Sequence, residues 1–352
     1  VTDTTLALAK IAKYWIQKNK IKSVAITGTN GKTTVKELTG TILNTYKKTL
    51  LNIGNYNNEI GLPLTVFKLD DTYKIGVFEM GASKKGDIKY LIDIVEPSIV
   101  ALLNVSPAHI EGFKNFNNLM LTKEEIFLHQ GFDKTVVLNI DDQNFDRWSK
   151  IDERHRIVTI SEHKKADYCI SNRNGNIISF LTPKGIINLN IKNYNTHLLI
   201  NILFSIACSM EAGAECGNVI EGYKKFEGIK GRFYPIEGIN NSVIIDDTYN
   251  ANPSSVKTSI SMLISMKGSS WLIIGDMGEL GKDAKKHHYE IGQYAYESGI
   301  EKLFCIGKYS SIVANGFGKE ASVFKTKEQL IECVKKNLNP NTNVLVKASR
   351  FM

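Results

Sequence analysis

The amino-acid sequence predicts an α/β protein with two domains, a central P-loop-type domain built on a parallel sheet and a Rossmann-like domain after it. Three observations support this prediction. Short apolar strands alternate with helical segments, a glycine-rich turn follows the first strand, and the alternation restarts after the segment GRFYPIEG. At 352 residues the chain is also too long for one ordinary core.

The first predicted domain begins with an amphipathic helix, because Leu8, Ile11 and Trp15 recur at helical spacing. Strands and helices then alternate, which predicts a parallel sheet covered by helices. We place the strands at 23–27, 48–52, 74–79, 99–104 and 135–140, and the helices at 33–46, 87–94 and 118–129. Residues 156–191 change to short alternating segments (RIVTI, YCISN, IISFL and IINLNI), which predict an antiparallel appendage.

The second predicted domain contains five strands and four helices in alternation. Its strands are SVIID, WLIIG, KLFCIG, SVFK and NVLVKAS, and its first helix begins at Pro253. We place the boundary near Pro235, so that residues 1–235 form the first domain and residues 236–352 form the second. The chain has no repeat of fixed period, which excludes solenoid folds.

Composition and charge exclude several classes of protein. Hydrophobic residues make up 43% of the chain and charged residues 23%, which is typical of globular proteins and excludes collagen-like and disordered chains. The 44 basic and 36 acidic residues give a net charge of +8, which favours anionic ligands. Five cysteines without a CxxC spacing indicate reduced thiols and a cytoplasmic protein. The longest apolar stretch, residues 198–208, is too short to span a membrane.

The strongest functional motif is the segment GTNGKTT, which lies between an apolar strand and a helix. Two glycines let the backbone curl around an anion, the lysine adds a positive charge, and a threonine hydroxyl is a ligand for Mg2+. The pattern predicts a nucleoside triphosphate site. Ile26 stands where the strict GxxxxGK[ST] pattern has its first glycine, and an ordinary glycine-rich turn is the alternative. The loop residues are Gly28, Thr29, Asn30, Gly31, Lys32, Thr33 and Thr34.

Three further residues of the first domain are candidates for metal binding or catalysis. Glu79 closes a predicted strand, where carboxylates bind the metal of phosphoryl-transfer enzymes, and a solvated strand-end glutamate is the alternative. His109 follows the next strand, at the edge where binding crevices form, and a structural histidine is the alternative. Lys123 lies on a predicted helix, where its residue type alone indicates a solvated side chain.

Polar residues also gather after the first strand of the second domain, in the segment IIDDTYNANPSS. They precede the helix that begins at Pro253, so they either contact a ribose or base or cap that helix. Arg232, near the boundary, is a candidate for a phosphate contact because its guanidinium presents a fixed fork of donors. The gathered residues are Asp246, Asp247, Tyr249, Asn250 and Asn252.

Taken in order, these motifs resemble the Mur ligase family, ATP-dependent enzymes that form amide bonds in bacterial cell-wall synthesis. TGTNGKTT is similar to the phosphate loop of that family, FEMGA to its metal-binding glutamate, and NVSPAHIEGF to its histidine segment. KEEIF followed by LNIDD resembles the modified-lysine helix and the next strand, and THLLIN resembles the HNxxN adenine segment. GR and DDTYNANP are similar to the hinge arginine and the ribose region.

The resemblance implies a set of roles for the residues that match these motifs. Lys32 and the loop amides are expected to hold the β- and γ-phosphates of ATP, while Thr33 and Glu79 bind one Mg2+. His109 and a carbamylated Lys123 are expected to position a second Mg2+. The remaining contacts to ATP are expected from Asn201 to adenine, from Arg232 to the γ-phosphate, and from Asp247 and Tyr249 in the ribose region.

Within the family, four segments are most similar to the branch that joins D-Ala-D-Ala to UDP-N-acetylmuramoyl-tripeptide: GNYNNEIGLPLT, DDTYNANP, GDMGELG and VKASR. The resemblance implies a reaction through an acyl phosphate, small-molecule substrates, no nucleic-acid or membrane partner, and a monomer. Asn57 and Asn58 are expected to face the muramoyl-peptide. The candidates for the dipeptide end are Asp276, Glu279, Lys347 and Arg350, and Asn250 and Asn252 are further candidates for substrate contact.

The chain departs from the family pattern in two places. Leu198 follows His197 where the family usually has asparagine. Family members also carry a domain before the phosphate loop that binds the uridine nucleotide, whereas only residues 1–22 precede the first predicted strand here. A further helix is expected after Met352. We therefore expect a ligase core that lacks the substrate-nucleotide domain.

Other functions remain open from the sequence alone. Other Mur-type ligases and folylpolyglutamate synthases share the loop and the mechanism, but are expected to differ around DDTYNANP. A nucleotide-binding module without ligase activity and a basic nucleic-acid binder are the alternatives from other classes. The second is disfavoured, because the chain lacks a basic stripe interleaved with aromatic residues.

Overall fold

The structure is a computed structural model that describes residues 1–106, 110–113, 115–128, 133–192, 194–318 and 321–352. It divides into two compact units. The first comprises Val1–Ser106, Gly112–Lys192 and Thr196–Glu227, and the second is built mainly from Gly228–Met352. The predicted α/β class, with two successive sheet domains, is confirmed.

The first unit is organised around a nine-stranded sheet with the strand order β2-β3-β1-β4-β5-β6-β7-β8-β9. Strands β1 to β7 pair in parallel, and their central members are buried along almost their whole length because helices cover the sheet. The strands are β1 (Lys22–Thr27), β2 (Thr49–Leu51), β3 (Ile75–Glu79), β4 (Ile99–Leu102), β5 (Thr135–Asn139), β6 (Arg156–Ser161), β7 (Tyr168–Asn174), β8 (Ile177–Thr182) and β9 (Gly185–Asn190).

The helices of this part of the chain are α1 (Thr4–Asn19), α2 (Lys32–Asn44), α3 (Gly61–Val66), α4 (Asp87–Val95), α5 (Ile110–Phe113), α6 (Phe116–Glu124), α7 (Phe145–Trp148), α8 (Thr196–Glu211) and α9 (Cys216–Lys225), with a 3-10 turn at Glu125–Phe127. The four helices predicted for this part of the chain correspond to α1, α2, α4 and α6, and the structure adds helices that were not predicted from the sequence. The predicted apolar face of α1 is wrong in one respect, because Ile11 is 58% exposed. Ala9, Ala12 and Ile16 form the buried face instead.

The segment that was expected to be an antiparallel appendage is continuous with the parallel sheet. β6 pairs in parallel with β5, and β7 pairs in parallel with β6. Only β7, β8 and β9 form an antiparallel meander. Alternation of apolar and polar residues shows that one face of a strand is exposed, but it does not reveal the direction of the neighbouring strand.

The second unit contains a six-stranded sheet with the order β10-β11-β15-β12-β13-β14. Its strands are β10 (Tyr234–Glu237), β11 (Val243–Asp246), β12 (Ser269–Ile274), β13 (Lys302–Ile306), β14 (Ala321–Phe324) and β15 (Thr342–Lys347). Its helices are α10 (Pro253–Ile264), α11 (Ala284–Glu297), α12 (Ser310–Phe317) and α13 (Lys327–Asn337). The five predicted strands are present and pair in parallel.

Strand β10 was not predicted from the sequence. This edge strand pairs antiparallel with β11 and places Pro235 opposite Ile245, a position where proline is tolerated because no second neighbour needs its N–H. The compact units divide between Glu227 and Gly228, ahead of the boundary that we placed near Pro235. Pro235 therefore lies inside a strand of the second sheet.

The structure also bears on the expectations about the cysteines and about membrane-spanning segments. All five cysteines are free thiols, and Cys169, Cys208 and Cys305 are buried. Within the described ranges, no helix combines the length and the apolar character needed to cross a lipid bilayer.

Candidate functional site

The glycine-rich loop connects β1 to α2 and is held in shape by the segment that follows β4. The side-chain oxygen of Asn104 accepts a hydrogen bond from the Asn30 N–H at 3.0 Å, and its amide donates to the Asn30 carbonyl at 3.0 Å. The Thr29 N–H donates to the Asn104 carbonyl at 3.0 Å. These bonds fix the loop before any ligand binds. Asn104 was not singled out from the sequence, since its partners lie 74 residues away.

Gly31 ends the loop and is the N-cap residue of α2, with a φ of +85° that a residue with a side chain rarely adopts. A Cβ atom at this position would also lie 2.4 Å from the side-chain oxygen of Asn201 on α8. The backbone conformation therefore favours glycine here, and a larger residue would also displace the Asn201 side chain. The same contact places the side chain of Asn201, predicted to meet adenine, directly against the phosphate loop.

Lys32 begins α2 and folds back over the loop. Its ammonium group donates to the carbonyl oxygens of Gly28 and Thr29, each at 2.9 Å. Thr34 lies in the same helical turn and is half-buried. The loop thus combines a positive charge with the N-terminus of a 13-residue helix, an arrangement that favours phosphate binding.

Glu79 lies at the end of β3 and is only 2% exposed. The Thr33 hydroxyl donates to one of its carboxylate oxygens at 2.8 Å, and the Asn57 amide donates to the other at 2.9 Å. Both partners are neutral, and in the described part of the chain the carboxylate forms no ion pair. Burying a carboxylate without a counter-charge is costly, so this pocket favours a cation.

The chemistry of these donors fits Mg2+, which prefers carboxylate and hydroxyl oxygens. No group of three His, Cys, Asp or Glu side chains within the described ranges is arranged to hold a metal ion. A metal held by Glu79 and Thr33 therefore takes its remaining ligands from phosphate, water or a modified side chain. His109, the other predicted metal ligand, lies outside the described residues.

Asn57 and Asn58 were expected to face the muramoyl-peptide. Asn57 contacts Glu79 instead of projecting freely, and its carbonyl accepts the N–H of Gly81 at 2.8 Å. The side-chain oxygen of Asn58 accepts the N–H of Gly61 at 2.8 Å, which satisfies a backbone donor at the start of α3. Both side chains thus have structural partners, and their contact with substrate remains a prediction.

Lys123 is 4% exposed, so the expectation of a solvated helical lysine is wrong. The amine of Lys123 forms no hydrogen bond or ion pair with the residues that the structure describes. Burial, and next the positive charge of Lys32, lower the pKa of Lys123 from 10.5 to about 7, against the opposing effect of Glu79, Asp87 and Glu125. The amine is therefore substantially neutral at physiological pH.

The two residues after Lys123 form hydrogen bonds with other parts of the fold and not with the lysine. Glu124 accepts a bidentate pair of hydrogen bonds from Arg147, at 2.6 and 2.7 Å, and a third from the Trp148 indole. The two carboxylate oxygens of Glu125 accept the N–H groups of Gly86 and Lys89 at the start of α4. The three consecutive residues of KEE thus face different partners, which the helical pattern alone did not show.

In the second unit, Asp247 is buried together with Lys347. The ammonium group of Lys347 lies 2.6 Å from one carboxylate oxygen of Asp247, which also accepts the Ser259 hydroxyl at 2.5 Å. The other oxygen accepts the Phe233 N–H at 3.1 Å. Burial lowers the pKa of Lys347, and its pairing with Asp247 opposes that shift. A ribose contact by Asp247 thus has to coexist with three existing partners.

Arg232, Tyr249 and Arg350 form an aromatic–cation group in the second unit. The guanidinium carbon of Arg232 lies 3.9 Å from the centre of the Tyr249 ring, and that of Arg350 lies 5.7 Å from it. The Tyr249 N–H donates to the Gly231 carbonyl at 3.1 Å. The structure therefore brings together three predicted ligand-binding residues that are separated in the sequence.

The other candidates in this unit support its loops. Asn252 caps α10 by accepting the Ser255 N–H at 2.8 Å, so the capping alternative is present. Asp276 accepts the N–H groups of Lys308 and Tyr309. The Asn250 carbonyl accepts from Lys347, Asp246 accepts the Gly231 N–H, and Glu279 adopts a φ of +59°. None of these contacts tests a substrate role.

Comparison with known proteins gives two successive family matches. Residues 26–209 match the Mur ligase middle domain, and residues 231–350 match the Mur ligase, glutamate ligase domain. The UDP-N-acetylmuramoyl-tripeptide–D-alanyl-D-alanine ligase of Buchnera aphidicola subsp. Acyrthosiphon pisum is 35% identical over 358 residues, which span 99% of this chain and 78% of the relative.

Solved structures agree with these matches. MurF from Acinetobacter baumannii superposes with a TM-score of 0.91 at 28% identity and spans all of this chain and 79% of its own. The MurF ligase from Thermotoga maritima, solved in complex with ADP, gives a TM-score of 0.87 at 26% identity, over all of this chain and 82% of its own. The family inferred from the ordered motifs is confirmed, and the chain belongs to the Mur ligase family.

Proposed function

We propose that this protein is an ATP-dependent ligase that joins D-Ala-D-Ala to UDP-N-acetylmuramoyl-tripeptide in peptidoglycan precursor synthesis. Relatives that carry this activity in their names match almost the whole chain. One structural observation carries the proposal. The phosphate loop and the buried Glu79 are joined by the 2.8 Å hydrogen bond from Thr33, so a nucleotide and its metal are served by one group of residues.

The reaction runs through an acyl phosphate. The carboxylate of the tripeptide attacks the γ-phosphorus of ATP, the bond to ADP breaks, and the amine of D-Ala-D-Ala then displaces phosphate from the acyl carbon. Lys32 and the loop amides hold the phosphates and stabilise the charge that develops on them. Bound Mg2+ supplies neutralisation of the phosphate charge, and Glu79 and Thr33 are the residues that would hold it.

Lys123 is proposed to carry a carbamate. Its neutral amine attacks CO2, a nitrogen–carbon bond forms, and the proton released on nitrogen goes to solvent, which leaves an anionic carboxylate-like group. Three features support this assignment: the side chain is buried, it has no partner among the described residues, and burial brings its pKa to about 7. The carbamate would serve a second Mg2+ together with His109.

The remaining ligand contacts follow from the family resemblance. We assign adenine to Asn201, the ribose to Asp247 with Tyr249, and the γ-phosphate to Arg232. The free thiols support a cytoplasmic location. A monomer is proposed, with small molecules as the only partners. The substrate contacts remain assigned to Asn57, Asn58, Asn250, Asn252, Asp276, Glu279, Lys347 and Arg350.

The test measures phosphate release from ATP with UDP-N-acetylmuramoyl-tripeptide as acceptor, and offers D-Ala-D-Ala, single amino acids, or a folate acceptor with glutamate in parallel. We expect release only with the tripeptide and D-Ala-D-Ala, with the amide product visible by mass spectrometry. Equal release with another substrate pair would contradict the assignment.

Lys32→Ala tests the phosphate loop in the same assay. Loss of a charge that stabilises the transferring phosphate is expected to lower turnover by roughly 100-fold or more without unfolding the protein. Lys10→Ala provides the control, since Lys10 is an exposed lysine of α1. Wild-type turnover in Lys32→Ala would show that the loop does not serve the phosphates.

A further inference from the structure

We propose that Asn52 and Lys36 are positioning residues that orient the Glu79 carboxylate for its metal. The inference rests on the metal-assisted function proposed above, and it adds two residues that the sequence motifs did not indicate. Neither side chain contacts the carboxylate of Glu79. Asn52 bonds the backbone of Glu79, and Lys36 bonds the backbone of Asn52.

Asn52 takes the place of a missing strand beside Glu79. On one side, the end of β3 pairs with β1, where Ile26 lies opposite Glu79. On the other side, β2 pairs with β3 only as far as Leu51 opposite Val77. Beyond that point, the side-chain oxygen of Asn52 accepts the Glu79 N–H at 2.9 Å, and its amide donates to the Glu79 carbonyl at 3.0 Å.

Asn52 is fully buried, so water cannot replace these two hydrogen bonds without opening the structure. Its amide also donates to the Tyr56 carbonyl at 3.0 Å, which ties down the segment that leads to Asn57. Asn57 in turn donates to the Glu79 carboxylate. One asparagine therefore supports the metal-binding residue through its backbone and through a neighbouring side chain.

Lys36 connects this support to the phosphate-loop helix. It is fully buried on α2, one turn after Thr33, and its ammonium donates to the Asn52 carbonyl at 2.6 Å and pairs with Glu37 at 2.6 Å. Thr33 and Lys36 are three residues apart, so both lie on one side of α2. Thr33 reaches the carboxylate of Glu79, and Lys36 reaches the residue that holds its backbone.

These contacts close a ring from α2 through Thr33 to Glu79, on to Asn52, and back to α2 through Lys36. A ring of this kind fixes the carboxylate relative to the phosphate loop, so the nucleotide and the metal are positioned together. Outer residues that orient a metal ligand typically change metal affinity by about 10- to 100-fold when they are removed.

The experiment measures Mn2+ binding by electron paramagnetic resonance in the presence of a non-hydrolysable ATP analogue, and measures metal-free binding of the analogue by calorimetry. Asn52→Ala is expected to weaken Mn2+ binding about 10-fold and to leave metal-free nucleotide binding within about twofold. If Asn52 only supported the fold, the variant would weaken both Mn2+ binding and metal-free nucleotide binding, or neither of them.

Asn44→Ala is the matched control. Its side-chain oxygen accepts the Thr49 N–H at 2.9 Å, so it supports the opposite end of the same strand, β2, without contacting Glu79. We expect it to bind Mn2+ as the wild type does. If Asn52→Ala does not fold, Asn52→Ser replaces it, because serine is small, polar and uncharged, and its shorter side chain cannot reach both the N–H and the carbonyl of Glu79 as asparagine does.

Wild-type Mn2+ affinity in a folded Asn52 variant would overturn the inference, provided that Glu79→Gln weakens Mn2+ binding in the same assay. If Glu79→Gln itself binds Mn2+ normally, the metal assignment in the proposed function is wrong, and the inference falls with it. The Glu79 variant therefore separates the two failures.

Discussion

The two candidate regions of this protein differ in whether their buried charged residues form ion pairs. At the phosphate-loop edge of the first unit, Glu79 and Lys123 are buried, and neither forms an ion pair with the described residues. In the second unit, Asp247 and Lys347 are buried as a pair, with 2.6 Å between the ammonium nitrogen and a carboxylate oxygen. Both regions were predicted to bind ligands, and both consist of charged residues at the ends of parallel strands or in the helices beside them.

Whether a buried charged residue has an ion-pair partner indicates whether it binds a ligand or stabilises the fold. A buried ionisable group without an ion-pair partner is costly to charge, so its presence favours a ligand or a modification that supplies the opposite charge. A buried pair with complementary hydrogen bonds is complete in itself, and its removal affects the fold before it affects the chemistry. We therefore expect removal of Glu79 or Lys123 to affect ligand binding first. Removal of Asp247 or Lys347 should first destabilise the loop that carries Tyr249 and Asn250, whatever ligand contacts the pair also makes.

The largest expected effect concerns the complete pair. Lys347→Met leaves the carboxylate of Asp247 buried without its counter-charge, which is expected to lower the free energy of unfolding by about 3–5 kcal/mol. Urea denaturation measures the change. Lys335→Met, at an exposed position of α13, is the control and should change stability little.

The double variant Lys347→Met with Asp247→Asn is expected to regain part of the lost stability, because the buried charge is removed while the hydrogen bonds to Ser259 and Phe233 can persist. If Lys347→Met is as stable as the wild type and only loses dipeptide binding, the pair does not support the fold, and the contrast between the two regions disappears.

The second prediction concerns the pH dependence that Lys123 imposes. Its pKa is about 7 in the folded protein and near 10.5 in the unfolded chain, so the unfolded chain binds more protons between these pH values. In CO2-free buffer, stability should therefore rise with pH over this range, by up to about 1.4 kcal/mol per pH unit relative to Lys123→Met. Denaturation of both proteins at several pH values measures the difference.

The same residue allows a direct test of the carbamate. With 13CO2, one carbamate carbon signal should appear in the nuclear magnetic resonance spectrum above pH 7 and should be absent in Lys123→Met. Lys134→Met is the matched control, since Lys134 is also buried and burial lowers its pKa to about 8. A signal that persists in Lys123→Met would place the carbamate elsewhere.

An activity assay tests the same assignment. Short carboxylic acids should restore part of the activity of Lys123→Ala, because they can supply the carboxylate-like group that the carbamate would provide.

The smallest expected effect concerns Asn252, which caps α10 and was also a candidate for substrate binding. Asn252→Ala should lower stability by about 1 kcal/mol, and Asn252→Ser should restore it because serine caps a helix equally well. Thermal denaturation and the KM for D-Ala-D-Ala are measured together. A raised KM in Asn252→Ser, with normal stability, would assign Asn252 to the substrate and weaken the view that this loop is structural.

Most of the architecture was predictable because it depends on local pattern. Alternating strands and helices, the strand–loop–helix around GTNGKTT, and the break before the second domain depend on residues that are close in sequence. The pairing direction of β6 and the existence of β10 were not predictable in this way. Both depend on which strand lies alongside, and a short segment does not encode its neighbour.

The sequence by itself determined the strand–loop–helix around Gly28 to Thr34 and predicted that this loop binds an anion, since its glycines, lysine and helix start are consecutive. Only the tertiary structure showed which other polar residues lie near the phosphate loop and Glu79. Burial converts Lys123 from an apparently solvated lysine into a largely neutral amine, and Asn52 reaches Glu79 from 27 residues away. Lys347 likewise meets Asp247 across 100 residues. Such contacts arise from the packing of distant strands, so their energies come from desolvation and pairing that no local pattern contains.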